Sequence, residues 1–129
     1  MSEADGPRLG AALGVVGGGQ LGRMLGLAAR PLGPPLHVLA PPSNAGAPAR
    51  AVAARWVEGA FSDLEAHRTL AADVAALTFE VEDAGPDVLA ALEAEGIAVH
   101  PSPAALRIVR RRASQRRWLA EKGFPMPAL

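Results

Sequence analysis

Leu13-Gly14-Val15-Val16-Gly17-Gly18-Gly19-Gln20-Leu21-Gly22-Arg23-Met24-Leu25 is an apolar run that enters three glycines and leaves as an amphipathic segment. Residues 12–16 have the pattern of a short buried strand. Leu21, Met24, Leu25 and Ala28 recur at i, i+3, i+4 and i+7, which predicts one inward face of a helix reaching about Arg30. Between the two the chain must reverse within three residues. Glycine permits φ > 0 there and lets a ligand approach the main chain where a Cβ would block it. The first amides of the helix point outward unpaired, and the helix dipole favours an anion above them, so a phosphate or carboxylate is the expected guest at Gly18 and Gly19.

Gly17-Gly18-Gly19-Gln20-Leu21-Gly22 also satisfies G-x-G-x-x-G, the dinucleotide fingerprint. That fingerprint needs an acid about 20 residues on, at the end of the next strand, to hold the ribose hydroxyls. Here the next strand, Leu36-His37-Val38-Leu39, ends in Ala40-Pro41-Pro42, and no carboxylate appears before Glu58. An NAD(P)-binding domain therefore ranks below a domain that takes a single phosphate-bearing ligand.

Outward from this turn, strand and helix alternate. The first helix stops at Pro31-Leu32-Gly33-Pro34-Pro35. Residues 47–54 are expected to form a short alanine-rich helix, and Arg55-Trp56-Val57-Glu58 a third, outer strand. Ser62-Asp63-Leu64-Glu65 has the form of a capping box with Ser62 as N-cap, opening a helix to about Ala72. Residues 74–79 form a nearly continuous apolar strand that runs out into Glu80-Val81-Glu82-Asp83. Pro86 begins a helix through Val88, Leu89 and Leu92 that ends at Gly96. Ile97-Ala98-Val99-His100 is the fifth predicted strand, and Pro101-Ser102-Pro103 caps the next helix, with Ser102 as N-cap.

This order predicts an α/β, Rossmann-like, doubly wound parallel sheet of about five strands, with ligands beyond the carboxyl ends of the strands. Two candidate sites fall on that edge: the glycine turn after strand one and the carboxylates after strand four. An anion-binding turn beside an acid suits a ligand with a phosphate at one end and an amine or hydroxyl at the other. Strand alternation puts Glu80 and Glu82 on one side and Asp83 on the other.

Composition narrows the classes further. The 129 residues are half apolar, and thirteen basic side chains balance thirteen acidic ones, which gives no global pull toward nucleic acid or an anionic membrane. There is no cysteine, so disulfide and thiolate chemistry are excluded, in keeping with a reducing cytoplasm. No uninterrupted apolar stretch reaches the roughly 18 residues that a membrane span needs. Arg107, Arg110, Arg111, Arg112, Arg116, Arg117 and Lys122 gather in one helical segment, whose buried side is expected at Ile108, Val109, Trp118 and Leu119. Without an aromatic platform beyond Trp118, this segment fits a solvated face or a domain contact better than a nucleic-acid site. His37, His67 and His100 are dispersed and predict no metal site; His37 and His100 are expected to satisfy hydrogen bonds beside the sheet.

Taken together, Gly17 to Met24, Thr78-Phe79-Glu80-Val81-Glu82, Pro101-Ser102-Pro103 and Gly123-Phe124-Pro125 resemble the N-terminal, pre-ATP-grasp domain of the carboxyaminoimidazole ribonucleotide synthetases, in the ATP-grasp superfamily. The resemblance implies a substrate-binding domain over residues 11–122, a flexible N-terminus over 1–10, and at 123–129 the start of a linker to an ATP-grasp domain absent from this chain. It implies a role in purine biosynthesis: ATP phosphorylates bicarbonate, and the exocyclic amine of aminoimidazole ribonucleotide takes up the carboxylate. It places Gln20, Leu21 and Glu80 on the ribonucleotide and Arg112 on ATP. ATP and magnesium are implied for the full enzyme, with no catalytic residue, metal ligand or cofactor in this chain. The implied partners are the ribonucleotide or a similar sugar phosphate, a separate ATP-grasp domain or chain, and a second copy in a homodimer. The other reading is a non-catalytic nucleotide-binding or interaction module with the same fold. The chain departs from the family pattern at Ala40, where Asp is usual, at Asp83 for Asn, and at Arg110-Arg111 for Gln-Asp.

Overall fold

The structure is a computed structural model that describes residues 11–44 and 46–128. The flexible segment expected over residues 1–10 lies outside the described residues. Among those described, the elements are β1 (Leu13–Val16), α1 (Gln20–Ala29), β2 (Leu36–Ala40), β3 (Arg55–Glu58), α2 (Leu64–Ala71), β4 (Ala76–Phe79), α3 (Pro86–Ala94), α4 (Pro103–Val109) and α5 (Arg112–Glu121). The four strands form one parallel sheet in the order β3-β2-β1-β4. The chain winds outward from β1 through β2 to β3, then returns to place β4 on the other side of β1. That reversal opens a crevice between β1 and β4, the position where a doubly wound sheet receives its ligand.

Register fixes which side chains share a face. Val16, Leu39, Val57 and Leu77 point into a core covered by α2, α3 and α4, where Leu70, Leu89, Leu92 and Leu106 are fully buried. Val15, Leu36 and Val38 point to the opposite face, beneath α1 and the 3-10 turn Pro48–Ala51. Leu39→Ala is expected to cost about 2–5 kcal/mol, the usual range for truncating a fully buried leucine, measurable as a lower urea midpoint.

Several elements differ from the sequence-based expectation for identifiable reasons. The fifth run makes only a single parallel bridge, Leu77 to Val99, beside β4. Gly96 enters it at φ 88, and Pro101 closes it without an N–H to continue the ladder. Residues 47–54 form one 3-10 turn rather than a helix, because the Ala54 amide must already bond to the Leu36 carbonyl to start β3. The cap of α2 is Asp63, not Ser62: its carboxylate accepts from the Ala66 amide at 3.0 Å and adds a charge that favours the helix N-terminus. Ser102 caps α4 as expected, accepting from the Ala105 amide.

The first helix is turned by one residue from its expected setting. Gly22, Gly26 and Ala29 face inward, whereas Leu21 and Met24 are 61% and 55% exposed. A Cβ on Gly26 would come within 2.7 Å of Val52 and 3.1 Å of Leu36, and one on Gly22 within 3.4 Å of Ala49. The helix lies too close to the Pro48–Ala51 turn for leucine, so the small residues take the inner face.

The basic segment is two helices. Arg111 is extended and N-caps α5, so Arg107, Arg110 and Arg111 do not share a face. Arg107 pairs with Asp87 and Arg110 lies 3.6 Å from Asp83. Val109 and Trp118 are 47% and 38% exposed, and the inward residue is Leu106.

His67, on α2, is fully buried. Its Nδ1 lies 2.7 Å from the Asp63 carbonyl oxygen, and its Nε2 has no partner among the described residues. Burial holds its pKa below the ordinary histidine value, only partly opposed by that carbonyl and by the Asp63 charge. Burial lowers His37 as well, and the Arg55 charge adds to the effect. The unfolded chain takes up protons near pH 6.5 while the folded chain resists them, so stability is expected to fall as pH drops below about 6.5. Urea titrations at pH 7.5 and 5.5 check this; equal midpoints would contradict it.

Candidate functional site

The ladder between β1 and its neighbours continues one step past the strands. The Gly17 amide donates to the Leu39 carbonyl at 2.9 Å, and the Glu80 amide to the Val16 carbonyl at 3.0 Å. These bonds hold the triglycine turn and Glu80 side by side at the mouth of the crevice. There the Gly19 amide donates to Glu80 Oε1 at 2.8 Å, in a part-buried hydrogen bond between residues 61 positions apart. The glycine turn and the carboxylate expected beside it on the sheet edge are joined directly by this bond.

Each glycine of the turn meets a different demand. Gly17 has φ +109, and the space its Cβ would fill is occupied by the Glu80 side chain, whose Cγ would lie 2.7 Å away. A Cβ on Gly19 would come within 2.9 Å of Glu80 Oε1. Gly18 faces the other way, where Trp56 Cη2 would be 2.6 Å and the Ala40 Cβ 3.3 Å from its missing side chain. Ala40, where a dinucleotide site would carry its acid, is thus fully buried against the turn, with an indole beside it.

This changes the expected chemistry of the turn. The anion bonded to Gly19 is the protein's own carboxylate, so the position above the turn already carries negative charge. It is suited to an amine or hydroxyl donor rather than to a phosphate. Gln20 and Leu21 open α1 beside it, and both are exposed.

Glu82 does not join this group by strand alternation. The chain leaves the extended conformation after Phe79 and turns, with the Ala84 amide bonded to the Val81 carbonyl and the Gly85 amide to Asp83. Glu82 is exposed on that turn, and Asp83 faces Arg110. Arg112 is exposed at the start of α5 and forms no ion pair among the described residues. His37 Nδ1 is buried without a partner, so the hydrogen bond expected for it is not made among the described residues. No three His, Asp or Glu side chains there gather as metal ligands, and no helix is long and apolar enough to cross a membrane.

Two residues of the site were not singled out from sequence. Trp56 reaches from β3 to the glycine turn, and Arg50 lies over its ring, 5.0 Å from the centroid. The available signal was a tryptophan on an edge strand beside a glycine-rich turn that needs a flat neighbour.

The ribonucleotide synthetase preATP-grasp domain family matches residues 11–110. The chain belongs to this family. It is 41% identical over 115 residues to the N5-carboxyaminoimidazole ribonucleotide synthase of Brucella melitensis, covering 89% of this chain and 31% of that protein. It is 45% identical over 113 residues to the Mycobacterium leprae enzyme of the same name, covering 88% and 25%. Among solved structures, the N5-carboxyaminoimidazole ribonucleotide synthetase of Thermotoga maritima superposes with a TM-score of 0.82 at 33% identity, over 92% of this chain and 32% of that one. An Aspergillus clavatus synthase, solved with ADP and 5-aminoimidazole ribonucleotide, superposes at 0.81 and 33% identity, over 93% and 31%. The chain thus spans less than a third of the length of these relatives.

Proposed function

We propose that this chain is the substrate-binding domain of an ATP-dependent carboxylase that converts aminoimidazole ribonucleotide and bicarbonate to carboxyaminoimidazole ribonucleotide in purine biosynthesis, in the cytoplasm. The observation that carries this reading is the bond from the Gly19 amide to Glu80 at the β1/β4 crevice. It fixes a carboxylate, already oriented, where an exocyclic amine can donate to it. Glu80 holds the amine end of the ligand, Gln20 and Leu21 line the mouth beside it, Gly19 makes room for the Glu80 carboxylate and Gly18 for the Trp56 ring that backs the turn, and Glu82 contributes from the rim.

The chemistry of carboxyphosphate formation belongs to a separate ATP-grasp domain, which binds ATP and magnesium; Arg112, exposed on α5, reaches ATP from this side. The role of this chain is to bind and orient. The amine must be presented with its lone pair free to attack, and a carboxylate that accepts one of its protons leaves that lone pair directed outward.

The test is a calorimetric titration of the chain with 5-aminoimidazole ribonucleotide and, in parallel, with NADH. Saturable binding of the first and none of the second supports the reading. Absence of ribonucleotide binding favours a non-catalytic module of the same fold.

A further inference from the structure

The peptide unit between Gly18 and Gly19 ties the two sides of the turn together. Its N–H is the Gly19 amide that donates to Glu80 Oε1 at 2.8 Å, and its carbonyl, that of Gly18, accepts from the Ala49 amide at 3.0 Å. The unit is trans, so these two groups point in opposite directions across one rigid plane. Whatever turns the carbonyl toward the Pro48–Ala51 turn therefore turns the N–H toward Glu80. The donor on the far side is available for a local reason. Pro48 opens the 3-10 turn without an N–H, and the Arg50 amide already bonds to the Ala47 carbonyl, which leaves the Ala49 amide to reach outward.

Hydrogen bonds alone hold a glycine-glycine unit loosely, because neither residue has a side chain to restrict its rotation. Trp56 supplies the restriction. Its Cη2 and Cζ3 lie 2.6 and 3.3 Å from where a Gly18 Cβ would stand, and Arg50 covers the ring, 5.0 Å from its centroid. Gly18 does not have the positive φ of Gly17, so the indole, not the backbone conformation, is what requires glycine there. The ring keeps this place although its Nε1–H is buried with no hydrogen-bond partner among the described residues, a cost that the packing has to offset. Resting on the ribonucleotide reading above, we propose that Trp56 is a positioning residue for the site: packed into the Gly18 notch, it fixes the Gly18–Gly19 peptide plane and so aims the Gly19 amide, and with it the Glu80 carboxylate, at the amine of the ligand. Trp56 acts through the peptide and not as a ligand contact.

The experiment compares the wild-type chain with Trp56→Ala, Gly18→Ala, the double variant carrying both, and Leu89→Ala, which removes a fully buried side chain from the opposite face of the sheet. Two quantities are read on each: the solvent-exchange rate of the Gly19 amide relative to that of Gly17, by NMR, and the calorimetric affinity for 5-aminoimidazole ribonucleotide. Gly17 is the internal reference because its amide bonds to the Leu39 carbonyl and not to Glu80. Trp56→Ala and Gly18→Ala are each expected to raise the exchange ratio and to weaken binding by about tenfold, the worth of one oriented hydrogen bond. The double variant is expected to recover part of both losses, since the new methyl occupies space that the indole has left. Leu89→Ala lowers the urea midpoint and leaves the ratio and the affinity as in the wild type. A wild-type ratio in Trp56→Ala, losses that simply multiply in the double variant, or the same two losses in Leu89→Ala overturn the positioning role and leave the ribonucleotide reading standing. A raised ratio in Trp56→Ala with undiminished affinity keeps the aiming of Glu80 and overturns Glu80 as the acceptor for the amine. A wild type that binds no ribonucleotide overturns the reading, while the exchange ratios still decide what Trp56 does.

Discussion

Gly17→Ala is expected to lose about 2–4 kcal/mol of stability and all measurable ribonucleotide binding. Two costs coincide at this position. The backbone sits at φ +109, a conformation that side-chain-bearing residues avoid, and the new methyl would lie 2.7 Å from Glu80 Cγ. The second contact is not with the free end of a flexible chain, so Glu80 must swing out of the turn and give up the Gly19 amide. Gly33→Ala separates the two effects. Gly33 has φ +102 but nothing within 4 Å of its missing Cβ, so alanine there brings backbone strain alone. Its urea midpoint is expected to fall while binding stays as in the wild type. If Gly17→Ala binds as well as Gly33→Ala does, the tight fit between Gly17 and Glu80 has no part in recognition.

The second large effect is expected at Glu80 itself, where two substitutions act differently. Glu80→Ala leaves the Gly19 amide without its partner in a part-buried position, which costs the fold about 1–2 kcal/mol and removes the acceptor for the ligand amine. Glu80→Gln can still accept from Gly19 through its amide oxygen, so stability should stay within about 0.5 kcal/mol of wild type. It lacks the charge, however, and a hydrogen bond to a neutral acceptor is roughly half as strong, so binding is expected to weaken by about tenfold or more. Urea melts and calorimetry on the same samples distinguish these outcomes. Equal affinity in the wild type and Glu80→Gln would mean that the carboxylate only braces the turn.

Much of this architecture can be read from the residues because local chemistry and tertiary demand agree. The run into Gly17, the edge strand Arg55–Glu58, and Ser102 followed by Pro103 all sit where their patterns place them. So does the meeting of the glycine turn with Glu80, since a chain that returns from β3 to pair β4 with β1 has no other place for the end of β4. Hydrophobic periodicity misplaced the inner face of α1. It registers that an apolar stripe exists, but it cannot register that Val52 and Leu36 approach so closely that Gly26 fits and leucine does not. Alternation misplaced Glu82 because it holds only while the chain stays extended, and the chain turns after Phe79. The anion-binding argument expects a phosphate or carboxylate at the turn, and the carboxylate bonded there is the protein's own Glu80. Nothing local in the sequence indicates that a carboxylate 61 residues away will fill it. Trp56 and Arg50 escaped notice for a related reason: stacking between a strand and a 3-10 turn leaves no periodic trace.

The shift of charge from guest to host makes the site selective. A turn with all its first amides free would take phosphates of many kinds. On the proposed reading, a turn whose Gly19 amide already holds a carboxylate disfavours them and presents an acceptor to the amine of the ligand.

The most direct test is to follow the Gly19 amide by 1H-15N NMR while 5-aminoimidazole ribonucleotide is added to the wild-type chain. The expected result is a saturable shift of the Gly19 and Gln20 resonances, absent in Glu80→Ala. A titration in which those two amides stay still while the ligand binds at α5 or elsewhere would contradict a site built on the glycine turn and Glu80.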